Sequence, residues 1–374
     1  MAVPDEVELL RRMVAIPSPS GQESELARFV AEAAGGLGMT STVDGVGNVL
    51  AATGTGDGPT ILLLSHLDTV DDPWPTDLVE DRLYGRGTVD AKGPLAAMLC
   101  AAAARPDFPG RLVVAGAVEE ETPGSRGAMH IRRTLPQPDA VLVGEPSGWN
   151  GVVIGYKGKL DLSYRVQRAA THPTNPTEKA VEAAAAFWAD AAAMLGPDAS
   201  HAAFERPAVT LYGLSGDMVD ATLELSYRLP PGFDHEGLVE RLSGLARGGE
   251  LSVLNAVRAV RARRGDPVVR ALTTGIRQAG GSPTHKLKTA TSDMNTVGEV
   301  WDVPMAAYGP GDSRLDHAAA EHILIEDYLR SIAVLTTALD QLTDLPAQRP
   351  APDAPPTVVA PAAATVIELL VGQP

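Results

Sequence analysis

The first 150 residues alternate between amphipathic helical segments and short, continuously apolar runs. Leucine, phenylalanine and valine recur at helical spacing over 22–34, and a similar pattern covers 5–15. Apolar runs of the buried-strand type occur at 60–64 (TILLL), 111–118 (RLVVAGAV) and 140–143 (AVLV), with helices predicted at 93–104 and 125–135. This order predicts an α/β fold in which helices cover both faces of a mainly parallel sheet.

The pattern changes near residue 152 and returns near residue 264. Between these points, alternating apolar and polar residues predict four strands, in GKLDLSYRV, AVTLYGL, ATLELSYRL and LSVLNAVRAV, together with two helices. Such a combination is typical of an open-faced α+β sandwich. We therefore predict a main domain over 1–151 plus 264–342, an inserted α+β domain over 152–263, and a flexible C-terminal extension rich in proline and alanine over 343–374.

Composition and charge exclude several classes of protein. The chain has 374 residues, of which 44% are hydrophobic and 21% charged, as in a globular protein. A net charge of −16 argues against nucleic-acid or anionic-membrane binding, because both tasks need a basic surface. No apolar stretch approaches ~18 residues and the N-terminus lacks a signal-peptide pattern, so we expect a cytoplasmic protein. The single cysteine, Cys100, lies in an apolar run and is expected to be buried.

Acidic and histidine side chains follow the predicted strands at the points where each strand ends. These groups are His66 and Asp68 after TILLL, Asp90 in the turn GRGTVDAKG, Glu119, Glu120 and Glu121 after RLVVAGAV, Glu145 after AVLV, and His317 after MAAYGPG. Ligands of open α/β sheets bind at this edge. Burying so many negative charges together costs too much free energy unless cations lie among them. Imidazole and carboxylate groups together are suitable ligands for Zn²⁺. A carboxylate that two ions share is typical of a two-metal site. Each group alone has an ordinary structural interpretation, but the ordered set is specific.

The motifs HLDTV, GRGTVDAKG, VEEETPGSRGA, GEPSG and GPGDSRLDHAAAEH resemble those of the co-catalytic zinc peptidase and deacylase family. That family includes acetylornithine deacetylase, succinyl-diaminopimelate desuccinylase, glutamate carboxypeptidase and aminoacylase. The resemblance covers about residues 5–342, and is strongest to the lysine and ornithine hydrolases that act on acetyl- or carrier-protein-bound lysine. It implies a zinc-exopeptidase-like fold, an inserted dimerisation or lid domain, and two Zn²⁺ ions for which Co²⁺ can substitute.

The resemblance also implies a role for each residue of the set. Asp90 would bridge the two ions, and the remaining ligands would be His66 and Glu145 for one ion and Glu121 and His317 for the other. Glu120 would be the general base. Asp68 would accept a hydrogen bond from the far ring nitrogen of His66, and the peptide bond between Asp90 and Ala91 would be cis.

The same resemblance implies roles for His172 and Arg228, and the position of Arg314, three residues before His317, makes it a further candidate. His172, in RAATHPTNP, would stabilise the developing oxyanion, often from the partner subunit, whereas an exposed loop imidazole is the alternative. Arg228, in SYRLPPG, would anchor a substrate carboxylate, with a structural ion pair as the alternative. Arg314 is a second candidate for that task. An asparagine usually found upstream of the anchoring arginine is missing, since LSGDMVD stands there.

These residues together predict a metal-dependent amide hydrolase. It would release the amino group of an N-acylated or carrier-protein-linked amino acid such as lysine or ornithine, by attack of a metal-bound hydroxide with Glu120 as base. The expected partners are a small N-acyl amino acid or an acidic amino-group carrier protein, and a second subunit in a homodimer. Two alternatives stay open, a dipeptidase or glutamate carboxypeptidase with the same metal centre, and a catalytically silent binding module.

Several other charged residues receive weaker interpretations. A basic patch that steers an acidic carrier is one reading of Lys157, Lys159, Arg165, Lys286 and Lys288, and scattered solubilising charge is the other. Glu321 and His322 are expected to be structural. Four histidines without partner patterns are expected on the surface: His130, His201, His235 and His285.

Overall fold

A computed structural model describes residues 5–263 and 265–347 of the chain. The helices are α1 (Asp5–Ala15), α2 (Ser24–Gly36), α3 (Lys92–Ala103), α4 (Arg126–Thr134), α5 (Ala180–Ala193), α6 (His235–Gly244), α7 (Pro267–Gln278), α8 (Asp293–Gly298) and α9 (Ile325–Gln341). The first eight strands are β1 (Thr40–Val43), β2 (Val49–Thr53), β3 (Thr60–His66), β4 (Asp77–Val79), β5 (Arg82–Tyr84), β6 (Arg111–Ala117), β7 (Ala140–Val143) and β8 (Gly151–Tyr156). The others are β9 (Gly158–Gln167), β10 (Ala208–Gly216), β11 (Asp220–Leu229), β12 (Glu250–Val257), β13 (Val260–Arg261), β14 (Thr284–Lys288), β15 (Met305–Ala307) and β16 (His322–Leu324).

Most of the predicted C-terminal extension, from residue 348 to residue 374, lies outside the described residues. Among those that are described, no helix combines the length and the apolar character that crossing a bilayer requires.

The larger sheet has nine strands in the order β1-β2-β6-β3-β7-β15-β8-β13, with β14 paired to β8. Its centre is parallel, since β3 pairs in parallel with both β6 and β7, and β7 with β15. Strand β3 shows why both faces are covered. Ile61 and Leu63 pack in a core cluster with α1, α2, α3, α7 and α9, whereas Leu62 and Leu64 pack in a second cluster with α4 and α8. The predicted α/β fold with a mainly parallel sheet is therefore confirmed.

The smaller sheet has four antiparallel strands in the order β10-β11-β9-β12. Along β9, Leu160, Leu162, Tyr164 and Val166 are buried in a third core cluster with α5 and α6, while the residues between them face the other side. The sheet's strands lie between residues 158 and 257. Strands β8 and β13, which fall inside the predicted insertion, pair instead in the nine-stranded sheet.

One predicted strand is divided in the structure. The run LSVLNAVRAV was expected to form a single strand, but β12 ends at Val257 and β13 begins at Val260 in the other sheet. The alternation of apolar and polar residues continues through the passage from sheet to sheet, so periodicity does not reveal it.

Two predictions about single residues have opposite outcomes. Cys100 is buried, as expected from its apolar surroundings. His235, expected on the surface, is only 6% exposed at the start of α6, where burial lowers the pKa of its imidazole. Its polar neighbours in the sequence give no sign of that burial.

Candidate metal centre

The predicted ligands follow four adjacent parallel strands. Strands β6, β3, β7 and β15 are consecutive in the large sheet, and His66, Glu121 and Glu145 lie at or shortly after the carboxyl ends of β3, β6 and β7. His317 lies in the longer segment after β15, and Asp90 lies in the turn before α3. His66 is the last residue of β3, and Glu145 follows β7 by two residues. The loops therefore meet at one edge of the sheet, where an open α/β sheet binds its ligands.

Asp90 lies between two imidazoles. Its Oδ1 is 3.1 Å from Nε2 of His66, and its Oδ2 is 3.3 Å from Nε2 of His317. Nε2 of His317 is also 2.7 Å from Oε1 of Glu121. Ligand atoms of His66, Asp90 and Glu121 all lie within 4.8 Å of one another, a spacing that one metal ion can occupy.

The carboxylates around His317 favour a positive charge on its imidazole. Hydrogen bonds with Asp90 and Glu121 raise its pKa to about 10, so a proton at this position offsets their negative charge. A metal ion bound to Nε2 would replace that proton and would offset the negative charge of the same two carboxylates. His317 also has a left-handed backbone conformation, with φ of 56°, which is uncommon for a residue other than glycine.

Asp68 contacts His66 through its main chain as well as its side chain. The main-chain carbonyl oxygen of Asp68 is 2.8 Å from Nδ1 of His66, whereas the nearer carboxylate oxygen is 3.5 Å away. The carboxylate instead accepts hydrogen bonds from the main-chain N–H groups of Glu120 and Glu121, at 2.9 and 3.0 Å, and from the Ser20 hydroxyl at 2.7 Å. Asp68 therefore orients His66 through its main chain and fixes the Glu120–Glu121 segment through its side chain.

Glu321 organises the loop that carries Asp90. This carboxylate is fully buried and accepts the main-chain N–H groups of Gly87, Val89 and Asp90, at 3.1, 2.7 and 3.0 Å. Arg86 donates to it at 2.7 Å. These contacts agree with a structural role for Glu321. The peptide bond between Asp90 and Ala91 is cis, which confirms that prediction.

Three further carboxylates, those of Glu120, Glu145 and Asp293, lie beside the cluster. Burial raises the pKa of Glu120 and of Glu145 well above the usual range, and Asp293 adds negative charge to both. Burial likewise raises the pKa of Asp293 to about 7. Asp293 is 1% exposed, and within the described residues neither of its carboxylate oxygens accepts a hydrogen bond. A buried carboxylate of this kind is ionised at neutral pH only when a cation lies nearby, so the residues present fit a site for divalent metal ions.

A cavity of 250 Å³ extends from this cluster to the four-stranded sheet. Its lining includes Glu120, Glu121 and His317 from the cluster, and Lys159 and Arg228 from strands β9 and β11 of the smaller sheet. The guanidinium of Arg228 donates a hydrogen bond of 3.4 Å to the hydroxyl of Thr291. The cavity is therefore lined by acidic side chains of the cluster and by basic side chains of the smaller sheet.

Two predicted residues lie apart from this cavity. His172 is in an exposed segment, with Nδ1 2.8 Å from the hydroxyl of Thr174. Arg314 pairs with Asp312 two residues away, and its side chain is 88% exposed. Roles for both residues in the reaction stay predictions.

The predicted basic patch does not form as a free cationic surface. Lys157 is fully buried, with Nζ donating to the carbonyl oxygen of Arg206 at 2.5 Å, and Arg165 is paired with Asp220.

The sequence of this chain is similar to those of known hydrolases. The sequence profile of peptidase family M20/M25/M40 matches residues 62–341. A protein of Deinococcus radiodurans named LysW-lysine hydrolase is 40% identical over 352 residues, covering 90% of this chain and 96% of its own. A protein of Thermococcus kodakarensis, with a provisional name for hydrolysis of LysW-lysine and LysW-ornithine, is 37% identical over 345 residues, covering 90% and 92%.

Solved structures show the same fold. A metallo-carboxypeptidase of the M20 family from Sulfolobus solfataricus superimposes with a TM-score of 0.75 at 19% identity, covering 91% of this chain and 100% of its own. A dinuclear metal-binding peptidase of the M20 family from Bacillus subtilis gives 0.70 at 13% identity, covering 90% and 97%. The family resemblance seen in the motifs is thereby confirmed. The chain belongs to peptidase family M20/M25/M40 and is a hydrolase that acts on amide bonds.

Proposed function

We propose that this hydrolase releases lysine or ornithine from an amide that joins the amino group of the amino acid to an acidic carrier protein. The observation that carries the proposal is the cavity, which is lined both by the carboxylate–imidazole cluster and by Arg228. The names of the relatives from D. radiodurans and T. kodakarensis support the choice of substrate, because both match over nine tenths of the chain.

The metal is proposed to be zinc, with Co²⁺ able to substitute. His66 and Glu145 would hold one ion, Glu121 and His317 the other, and Asp90 both, since this set of imidazole and carboxylate donors suits Zn²⁺. When bound, two such ions lower the pKa of the attacking water and polarise the scissile carbonyl.

Glu120 is the proposed general base. It would take a proton from the attacking water and deliver it to the leaving amine. The hydrogen bonds from the main chain of Glu120 and Glu121 to Asp68 hold the base and the neighbouring ligand in a fixed relation. Placing these two groups on consecutive residues lets a single anchor position both.

Arg228 is proposed to bind the α-carboxylate of the amino acid that leaves. Within the described part of the chain its side chain makes one hydrogen bond, the long one to Thr291, so its guanidinium has donors to offer. Lys159 lies directly opposite Arg228 in the pairing of β9 with β11, but its ammonium pairs with Asp161 at 2.9 Å, so the positive charge offered to a substrate here is that of Arg228. A guanidinium can bind a carboxylate through two parallel hydrogen bonds.

A side-by-side substrate assay tests the function. We expect the zinc- or cobalt-loaded protein to release lysine or ornithine fastest from the carrier conjugate, more slowly from acetyl-lysine and acetyl-ornithine, and slowest from dipeptides. Release of the free amino acid is measured by chromatography. Dipeptide turnover far above that of every acyl amino acid would contradict the proposal and favour a dipeptidase or glutamate carboxypeptidase.

The four-stranded sheet and its two helices are proposed to form an inserted dimerisation domain, and the protein to be a homodimer. The edge strand β10 exposes Tyr212 and Leu214, at 65% and 41%, which are large apolar side chains suited to contact another subunit. His172 lies outside the cavity of its own chain, so we propose that it completes the site of the partner subunit.

Mixing two inactive variants tests this arrangement. We expect Glu120→Ala and His172→Ala each to be nearly inactive alone. Unfolding and refolding them together should restore about a quarter of wild-type activity, because half of the dimers are mixed and each mixed dimer has one complete site. Light scattering verifies the dimer. Failure of the mixture to recover activity would show that His172 does not act across the subunits.

A further inference from the structure

We propose that Asn295 is a positioning residue. Its side-chain amide would fix both points at which the chain passes between the two sheets, and so hold Arg228 opposite the carboxylate–imidazole cluster. The consequence for Arg228 rests on the proposed function, whereas the link between the sheets does not.

The two passages between the sheets are very short. Lys157 alone separates β8 in the large sheet from β9 in the small sheet, and Arg258 and Ala259 separate β12 from β13 on the return. Because β9 pairs with β12 and β8 pairs with β13, the two passages lie side by side. Any change in the angle between the two sheets therefore requires the backbone to rotate at these three residues or their neighbours.

Asn295 holds both passages with one group. Its Nδ2 donates to the carbonyl oxygen of Lys157 at 3.0 Å and to that of Arg258 at 2.9 Å. Its Oδ1 accepts the main-chain N–H of Ser292 at 3.0 Å, and the residue is only 1% exposed. An amide is suited to this task because it has two donors and an acceptor. Aspartate would present acceptors alone to the two carbonyl oxygens.

The helix that carries Asn295 is anchored to the large sheet. Met294 and Val297, on either side of Asn295, are buried in the core cluster that includes Tyr156 at the end of β8. Arg132 of α4 donates to the carbonyl oxygen of Thr296 at 2.6 Å. Asn295 therefore connects the passages to a helix that packs against the same sheet as the metal centre.

The same region reaches the substrate cavity. Thr291 and Ser292, just before α8, line the cavity, and the hydroxyl of Thr291 contacts Arg228. Arg228 lies near the end of β11, opposite Lys159, which is two residues beyond the first passage. A small rotation about the passages would thus displace the guanidinium relative to Glu120. Displacements of about 1 Å are enough to reduce catalysis strongly.

Distances between two spin labels test the link directly. Labels at Arg133→Cys on α4 and Glu240→Cys on α6, both exposed positions, report the relation of the two sheets in a Cys100→Ala background. We expect one narrow distance distribution in the otherwise unaltered protein, and a distribution wider by about twofold after Asn295→Ala. An unchanged distribution would overturn the proposal.

Asn48→Ala is the matched control. Asn48 is also buried, and its amide donates to Asp44 and to the carbonyl oxygen of Gly127 while accepting the N–H of Val118. The Asn48→Ala variant loses the same number of side-chain hydrogen bonds as Asn295→Ala, but all of them lie within the region of the large sheet. The distribution of the distance between the two spin labels should therefore stay narrow. If Asn295→Ala does not accumulate, Asn295→Ser keeps one donor and should give a smaller widening in the same direction.

Kinetics separate positioning from a general loss of stability. We compare the best substrate of the assay above with the same compound carrying a carboxamide in place of the α-carboxylate. Asn295→Ala should lower kcat/KM for the carboxylate about tenfold while changing that for the carboxamide by less than about twofold. Equal losses on both compounds would overturn the positioning role. If the wild type hydrolyses the carboxylate and the carboxamide equally well, the role proposed for Arg228 is wrong. The spin-label distances then test the role of Asn295 on their own.

Discussion

Replacing Glu120 by glutamine is expected to reduce kcat by about 100- to 10,000-fold, the range that removal of a general acid–base group produces. Glutamine has the same shape but cannot accept the proton of the attacking water. Because Glu120 is not among the proposed ligands, and because its main-chain N–H still reaches Asp68, the metal content should stay at the wild-type level. Steady-state kinetics measure kcat, and elemental analysis of the same preparation measures the metal content. Glu120→Ala should show the same loss of kcat with the same retention of metal.

Glu119→Gln is a closely matched control, since it makes the same chemical change one residue earlier. The side chain of Glu119 pairs with Arg126, at 2.8 Å between its Oε1 and Nε, and is not part of the cavity lining. Its replacement should leave kcat within about twofold of the wild type, as expected for a surface ion pair. Full activity of Glu120→Gln would show that another group takes the proton, and a loss of metal would show that Glu120 is a ligand.

The edge of the sheet that carries the site could be predicted because two simple rules apply there. The run TILLL reads as a strand buried on both faces, and its alternate leucines do pack in different clusters on the two sides. Parallel strands then bring the residues that follow them to one edge. His66 and Glu145 therefore could be placed from their position after a strand, without any knowledge of the helices between.

Other features of the site have no comparable signal. Asp293 and Asn295 belong to a helix of six residues, which is too short to produce a periodic pattern. The spacing of Ser292 and Asn295 is that of a capping box, and the structure has both of its hydrogen bonds. That spacing predicts where a helix begins, but not that Asp293 is buried beside Glu120 and that Asn295 contacts two distant passages of the chain.

The contacts of Asp68 show a further limit of reading a motif. A histidine followed two residues later by aspartate suggests a pair of side chains, yet the nearer acceptor for His66 is a main-chain oxygen. The carboxylate is used by the N–H groups of residues 120 and 121, which lie on the neighbouring strand's loop. Contacts that join two loops depend on how the strands are ordered in the sheet, and a motif within one loop does not contain that order.

Replacing Asp90 by alanine is expected to remove both bound metals and all measurable turnover. Each oxygen of Asp90 faces a different imidazole, at 3.1 Å for His66 and 3.3 Å for His317. Although burial acts in the opposite direction, hydrogen bonds with His317 and His66 hold the pKa of Asp90 well below its usual range, so this carboxylate is charged throughout the physiological range. Alanine removes the one negative group that both halves of the proposed centre share.

Metal-dependent stabilisation measures this loss independently of activity. At a free zinc concentration about 100 times the dissociation constant, each bound ion should stabilise the wild type by about 2.7 kcal/mol, whereas Asp90→Ala should show no shift of its unfolding midpoint. Asp77→Ala, which changes an exposed aspartate at the start of β4, should respond to zinc like the wild type. If Asp90→Ala still bound two ions per chain with full stabilisation, the shared ligand would have to be another carboxylate, and Glu145 or Asp293 would be next to test because both are buried beside the cluster.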